Sequence, residues 1–175
     1  TGIGVFDEGS RVRLDTDVKH TYLFVSDVIE LNDNWQLAVA GRYNKSTIDM
    51  VDGVEVGEGS LNGNHEFSRF NPSATVHYRK DSYHAYASYS QSSRTPSPAE
   101  LSCADEDDPC KLPNGFVADP PLDQVRTDTL EVGVNYSLEN GLLHAALFRS
   151  ESKDDIIFQQ AGDRASVGYF VNVDK

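Results

Sequence analysis

Trp35-Gln36-Leu37-Ala38-Val39-Ala40-Gly41-Arg42-Tyr43-Asn44 alternates between two kinds of side chain. Trp35, Leu37, Val39, Gly41 and Tyr43 fall on one face, and Gln36, Ala38, Ala40, Arg42 and Asn44 on the other. A period of two marks a β-strand lying between two different surroundings. The pattern returns at Phe70, Pro72, Ala74, Val76 and Tyr78, set against Asn71, Ser73, Thr75, His77 and Arg79. It returns again at Leu130, Val132, Val134, Tyr136 and Leu138, set against Glu131, Gly133, Asn135 and Ser137. Weaker alternation runs through residues 83–91 and 143–158, and residues 22–31 read as a strand whose mixed faces leave it unoriented. No segment has helical periodicity, so the chain is expected to be all-β.

The connections say how the strands are joined. Asn32-Asp33-Asn34, Lys80-Asp81-Ser82 and Glu139-Asn140-Gly141 are short and built from residues that favour tight turns. Residues 50–67, 94–125 and 159–168 form longer connections. Short and long alternate along the chain, which predicts an antiparallel up-and-down meander with its short turns at one end and its long loops at the other. Outer-membrane barrels have that asymmetry. The aromatic residues agree: Trp35 and Tyr43 bracket one apolar face, and Phe70 and Tyr78 bracket another. Eight residues at ~3.3 Å each span about 26 Å of strand, and a tilt of ~40° brings this near the apolar band between the aromatic girdles of such barrels. Strands are expected around residues 17–31, 35–49, 68–79, 83–93, 126–138, 142–158 and 168–175. Single-chain bacterial barrels use even strand numbers from about eight upward, so the chain reads as one partial β-barrel domain over residues 1–175.

Composition fits this reading. Asp and Glu number 28 against 15 Lys and Arg, a formal net charge of -13, which argues against a nucleic-acid partner because phosphate binding needs a basic face. Hydrophobic residues make up 38% and the mean hydropathy is -0.47. No apolar run approaches the ~20 residues of a membrane-spanning helix, whereas a barrel spans with alternating faces. The opening Thr1-Gly2-Ile3-Gly4-Val5 lacks the basic start and apolar core of a signal peptide. Either a leader has been removed or the chain begins within a longer protein. Cys103 and Cys110 sit close together without histidine neighbours. A loop disulfide suits them better than a zinc site, which needs four N or S ligands, and it implies an oxidising compartment.

The middle of the chain is more specific. Phe70-Asn71-Pro72-Ser73-Ala74-Thr75-Val76-His77-Tyr78 is followed by Ala85-Tyr86-Ala87-Ser88-Tyr89-Ser90-Gln91-Ser92-Ser93-Arg94-Thr95-Pro96-Ser97-Pro98-Ala99-Glu100-Leu101. This resembles the barrel of TonB-dependent receptors, where an F-x-P strand precedes a Y-A-S-Y-S strand and an R-x-P-x-x-x-E-L loop. Leu130-Glu131-Val132-Gly133, residues 148–157 and Gly168-Tyr169-Phe170-Val171-Asn172-Val173 resemble later strands of the same barrel, in order. Thr95 stands where a bulkier residue is commoner. The resemblance implies a transmembrane β-barrel of about 22 strands in the bacterial outer membrane. It also implies active uptake of a large scarce nutrient, such as an iron–siderophore complex or cobalamin. The expected partners are outer-membrane lipid, the small-molecule substrate and, through the family's plug domain, the TonB–ExbB–ExbD system. Plug, TonB box and the remaining strands have no counterpart in this sequence.

Candidate site residues follow from the faces. Arg42, His77, Arg79, Glu131, His84 and His144 fall on inferred lumen faces, where they would line a substrate path or meet a plug; for any one of them, a paired charge on a wet barrel wall is the plainer reading. Arg94 and Phe116 belong to the long loop at 94–125, which holds every proline of the chain except Pro72 and reads as a shaped extracellular lid. Phe116 and Leu122 either touch substrate or pack the loop on itself. Asp105, Asp107 and Asp108, beside Glu106, are weak calcium candidates, because consecutive carboxylates point apart and a solvated loop tip is favoured. The five histidines are scattered without ligand spacing, and no nucleophile elbow, zinc helix or phosphate loop is present. No enzyme, cofactor or resident metal is expected. The alternatives are a soluble or secreted β-sandwich binding module, whose apolar faces would be buried against each other, and a smaller channel or porin.

Overall fold

The computed structural model describes residues 13–53, 61–104, 110–111, 122–161 and 167–173. Six strands form one antiparallel sheet in sequence order: β1 (Leu14–Glu30), β2 (Trp35–Asp52), β3 (Gly63–Lys80), β4 (Tyr83–Arg94), β6 (Val125–Leu138) and β7 (Gly141–Lys153). Between β4 and β6 lie a single helical turn, α1 (Pro98–Leu101), and the short β5 (Cys110–Lys111). β5 joins β8 (Asp155–Gln160) and β9 (Val167–Val173) in a separate three-stranded sheet ordered β5-β9-β8.

The expected meander is present, and register fixes its two faces. Trp35, Leu37, Val39 and Tyr43 pair with Tyr78, Val76, Ala74 and Phe70 across β2 and β3. The same face continues through Tyr83, Ala85, Ala87 and Tyr89 to Tyr136, Val134, Val132 and Leu130, then to Leu143, Ala145 and Leu147. β1 can now be oriented: Ile29, Val25 and Leu23 join this apolar face, while Tyr22, Phe24 and Val28 lie on the other. Large residues of this apolar band, including Leu23, Val132 and Leu147, are exposed, with nothing packed over them among the described residues. That overturns the soluble β-sandwich alternative, whose sheets would bury these residues against each other.

Aromatic rings bound the band at both ends. Trp35 contacts Tyr78 at 4.9 Å between ring centroids, Tyr78 meets Tyr83 edge-on at 6.4 Å, and Tyr83 pairs with Tyr136. At the other end Tyr43 pairs with Phe70, with Tyr89 further along. Just beyond that second row the same face turns charged, with Lys45 bonded to Glu66 at 2.8 Å, Arg126 to Asp128 at 2.5 Å, and Arg149 to Glu151.

The short turns follow from their residues. Asn32 Oδ1 accepts from the backbone N–H groups of Asn34 and Trp35, both at 3.0 Å. Asp81 adopts φ 51°, a left-handed conformation that Asp tolerates better than most residues. Asn34 also ties the first turn to the second, since its side-chain amide donates to Arg79 O at 2.7 Å and its carbonyl accepts from Arg79 N at 2.8 Å.

Three expectations need correction. The strand expected over 142–158 breaks at Asp154, whose φ of 54° turns the chain out of the six-stranded sheet. Residues 167–173 therefore pair with β8 and β5 rather than extending the main sheet within the described residues. The connection expected over 94–125 contains α1, where Ser97 Oγ accepts from Glu100 N and the Glu100 carboxylate accepts from Ser97 N, with Pro98 opening the turn. A Ser-x-x-Glu box with Pro at the first helical position was legible as a helix start, but a single turn leaves no periodicity to find. β2 and β3 also run further than expected, to Met50 paired with Gly63.

That extension matters because Ile48 and Met50 lie on the inner face at the long-loop end. They pack with Leu101, Ala104, Leu122, Val125 and Ile156, flanked by Leu14, Phe67 and Phe170. Burial at roughly 1.5–3 kcal/mol per large side chain holds the long loop down over one end of the inner face.

Candidate functional site on the inner face

The inner face is polar by sequence and hollow by structure. Arg42 stands at its centre on β2. Its guanidinium lies 4.5 Å from the Tyr22 ring centroid, and its Nε donates to Asn44 Oδ1 at 2.6 Å. A hollow of about 360 Å³ opens beside it, lined by His20, Tyr22, Arg42, Asn44, Ser46 and Gln124 among others. A second hollow of about 360 Å³ shares Arg42 and Asn44 and extends past Phe24, Asn71, Ser73 and Ser92. His20 Nδ1 contacts Ser46 Oγ at 2.8 Å, and Asn71 Nδ2 donates to Ser93 Oγ at 3.0 Å.

Charge in this region is uneven. Arg69 Nε donates to the neutral Gln124 Oε1 at 3.4 Å, and Arg42 and Arg69 make no ion pair among the described residues. Arg94, bordering the first hollow, is bound by Glu100 at 2.9 Å. Burial pushes the Glu100 carboxyl up, but its hydrogen bonds from Arg94 and Ser97 outweigh this and leave its pKa below the ordinary value. In a chain whose net charge is -13, the first hollow is therefore lined by two guanidinium groups, that of Arg42, which has no ion pair among the described residues, and that of Arg94, which Glu100 holds.

The structure separates the sequence-derived candidates. Arg42 and Arg94 both line the first hollow. His77, Arg79 and Glu131 lie on the same face but towards the short turns: His77 Nδ1 is 3.1 Å from His84 Nε2, and Tyr86 O–H donates to Glu131 Oε1 at 2.5 Å. Leu122 is buried in the loop core, which favours packing over substrate contact. Phe116, Asp105, Asp107 and Asp108 lie outside the described residues. Cys103 is buried and disulfide-bonded, while the side chain of Cys110 lies outside the described set.

His20, Tyr22, Arg69 and Gln124 escaped the sequence reading. For His20 and Tyr22 the reason is the unoriented β1, because a strand apolar on both faces assigns neither. Arg69 shares the period of Asn71 and Ser73 and could have been found by starting that strand one residue earlier. Gln124 sits in a loop, where no period applies.

Comparison with known proteins gives the same architecture. The family described as "TonB dependent receptor-like, beta-barrel" matches residues 2–175. No curated protein matches by sequence. Among solved structures, the chain resembles the copper transporter OprC with a TM-score of 0.70 and 18% identity, over 91% of this chain and 24% of that one. It resembles the FrpB iron transporter from Neisseria meningitidis with a TM-score of 0.62 and 17% identity, over 91% of this chain and 22% of that one. For the alcaligin outer-membrane receptor FauA from Bordetella pertussis the TM-score is 0.60 and the identity 19%, over 91% and 25%. The chain thus spans about a quarter of the length of these structures, and identities this low speak to fold alone.

Proposed function

Since the chain belongs to the TonB-dependent receptor β-barrel family, a family of outer-membrane transport receptors rather than enzymes, we propose that it forms one arc of a receptor barrel that takes up a large scarce nutrient through the outer membrane. The observation that carries this reading is the division of one sheet into an exposed apolar band between two aromatic rows and a polar, hollow inner face. The six-stranded sheet would be one wall of a barrel of family size, with a plug contributed by other parts of the receptor. TonB, ExbB and ExbD would supply the energy through that plug.

For the substrate, Arg42 in the hollow favours an anionic iron chelate over a neutral corrinoid, because a guanidinium without an ion pair among the described residues attracts negative charge. Arg94, locked to Glu100, would shape the rim rather than bind. His77, Arg79 and Glu131 would face the lower lumen, and Phe116 would belong to the lid. A Cys103–Cys110 bridge, formed in the oxidising periplasm, would fix the base of that lid.

The test is uptake by the full-length receptor in cells lacking other iron receptors, with and without TonB. Labelled anionic ferric siderophores should accumulate only when TonB is present, and labelled cobalamin should not. Accumulation indifferent to TonB would remove the uptake reading.

A further inference from the structure

On the inner face near the short turns, three of the five histidines of the chain form one chain of contacts that runs through an amide. His77 comes from β3, His84 from β4 and His144 from β7, while β6 supplies Asn135 between the last two. His77 Nδ1 lies 3.1 Å from His84 Nε2, His84 Nδ1 lies 3.1 Å from Asn135 Nδ2, and His144 Nδ1 lies 2.5 Å from Asn135 Oδ1. Register places Asn135 opposite both His84 and His144, so the arrangement is built into the sheet.

We infer that His77 Nδ1 and His84 Nε2 form a two-imidazole site for a late first-row divalent cation such as Cu²⁺ or Zn²⁺. The geometry is that of two ligands on one ion. Nitrogens at ~2.0–2.1 Å from a metal stand about 3.3 Å apart at a tetrahedral centre and about 2.9 Å apart as neighbours in a square plane, and 3.1 Å lies between these. Imidazole selects this class of metal, whereas calcium and magnesium require oxygen-rich cages. Among the described residues no group of three or more His, Cys, Asp or Glu could complete a protein-only site, so water or a cargo group fills the remaining positions.

Asn135 provides the switch between the two states. As placed, its amide N–H donates to His84 Nδ1, which puts the His84 proton on Nε2, where it bridges to His77. Turning the amide over lets Oδ1 accept from His84 Nδ1–H and lets Nδ2 donate to His144 Nδ1, whose own proton passes to His144 Nε2. The proton then moves from Nε2 to Nδ1 of the same neutral ring, and Nε2 is left bare for the metal. A ligating histidine held by a carbonyl through its other nitrogen is the usual supporting arrangement. Of the charges on this face, Arg79 opposes His84 in register but is exposed and can turn to water, and Glu131 lies four residues away from Asn135 on β6 and is bonded to Tyr86.

The site is tested on the full-length receptor in detergent, titrated with Cu²⁺ by calorimetry and electron paramagnetic resonance. The receptor should bind one more Cu²⁺ than His77→Ala/His84→Ala, with nitrogen hyperfine structure from two imidazoles that the double variant loses. His84→Gln, which keeps a polar side chain in place, should reduce that signature to one nitrogen, and Asn135→Leu should weaken binding about 10–100-fold. Equal stoichiometry and identical spectra in the receptor and a folded double variant would overturn the assignment. Binding is read at equilibrium without transport, so it stands or falls separately from the uptake reading.

Discussion

Ser97 and Glu100 hold the first turn of the long loop by reciprocal hydrogen bonds, and Glu100 also binds Arg94. Two of these interactions, the bonds that the Glu100 carboxylate accepts from Ser97 N and from Arg94, are strongest when it is ionised. A carboxyl whose folded pKa lies below its unfolded value stabilises the fold above the unfolded pKa and ceases to do so as pH falls through the folded one. With the ordinary value at 4.5 and the folded value lower, the contribution of Glu100 is complete at neutral pH and is lost on acidification below that range. Hydrogen exchange should therefore show protection of α1 declining at acid pH in the wild type and flat with pH in Glu100→Gln. Ser97→Ala should cost the turn about 0.5–2 kcal/mol through the lost cap. At this scale the sequence was legible where a residue's chemistry acts locally, as in the Ser-x-x-Glu box. It was silent on the His77, His84 and His144 cluster, because spacings of 7 and 60 positions (84 − 77 and 144 − 84) carry no signal until the strands are aligned.

β4, β6 and β7 show what an element adds. Period-two alternation says that Val132 and Glu131 face opposite ways and assigns the apolar face to lipid, but it does not say how deep in the band each residue sits. Register supplies the rest, since Val132 lines up with Ala87 and Leu147 midway between the two aromatic rows. Arginine at the midplane of a barrel's lipid face costs about 2–4 kcal/mol, while lumen positions are tolerant. Val132→Arg should therefore depress the amount of folded receptor in outer-membrane fractions, and Ser88→Arg, on the inner face of β4, should leave it near wild type. Equal yields from the two variants would mean that the faces are misassigned. Asp154 is the element-level counterexample. Alternation continues through it in sequence, yet its left-handed backbone sends β8 into a different sheet, and an aspartate gives little warning of that bend because it is equally at home in an ordinary loop.

For the whole molecule, the sheet leaves β1 and β7 as edges, with Leu23, Val25, Leu143 and Leu147 among many exposed apolar residues. Unpaired edges and contiguous apolar area drive association in water. Produced alone, the 175-residue chain should elute as large aggregates without detergent and shift to smaller particles when detergent covers the band, which size-exclusion chromatography would show. A monodisperse species in plain buffer would contradict the lipid-facing assignment. Alternation, turn residues and the order of the strand motifs determined by themselves that the chain is an antiparallel meander with one apolar and one polar face, because a pleated strand writes its two surroundings into alternate residues. They determined the receptor family for the same reason, since its motifs sit on those strands in order. Only the tertiary structure decided the orientation of β1, the departure of β8 and β9 from the main sheet, the hollow around Arg42 and the meeting of His77 with His84. Each of these depends on which residues of different strands come opposite one another, and hydrogen-bond register fixes that only when the strands pair.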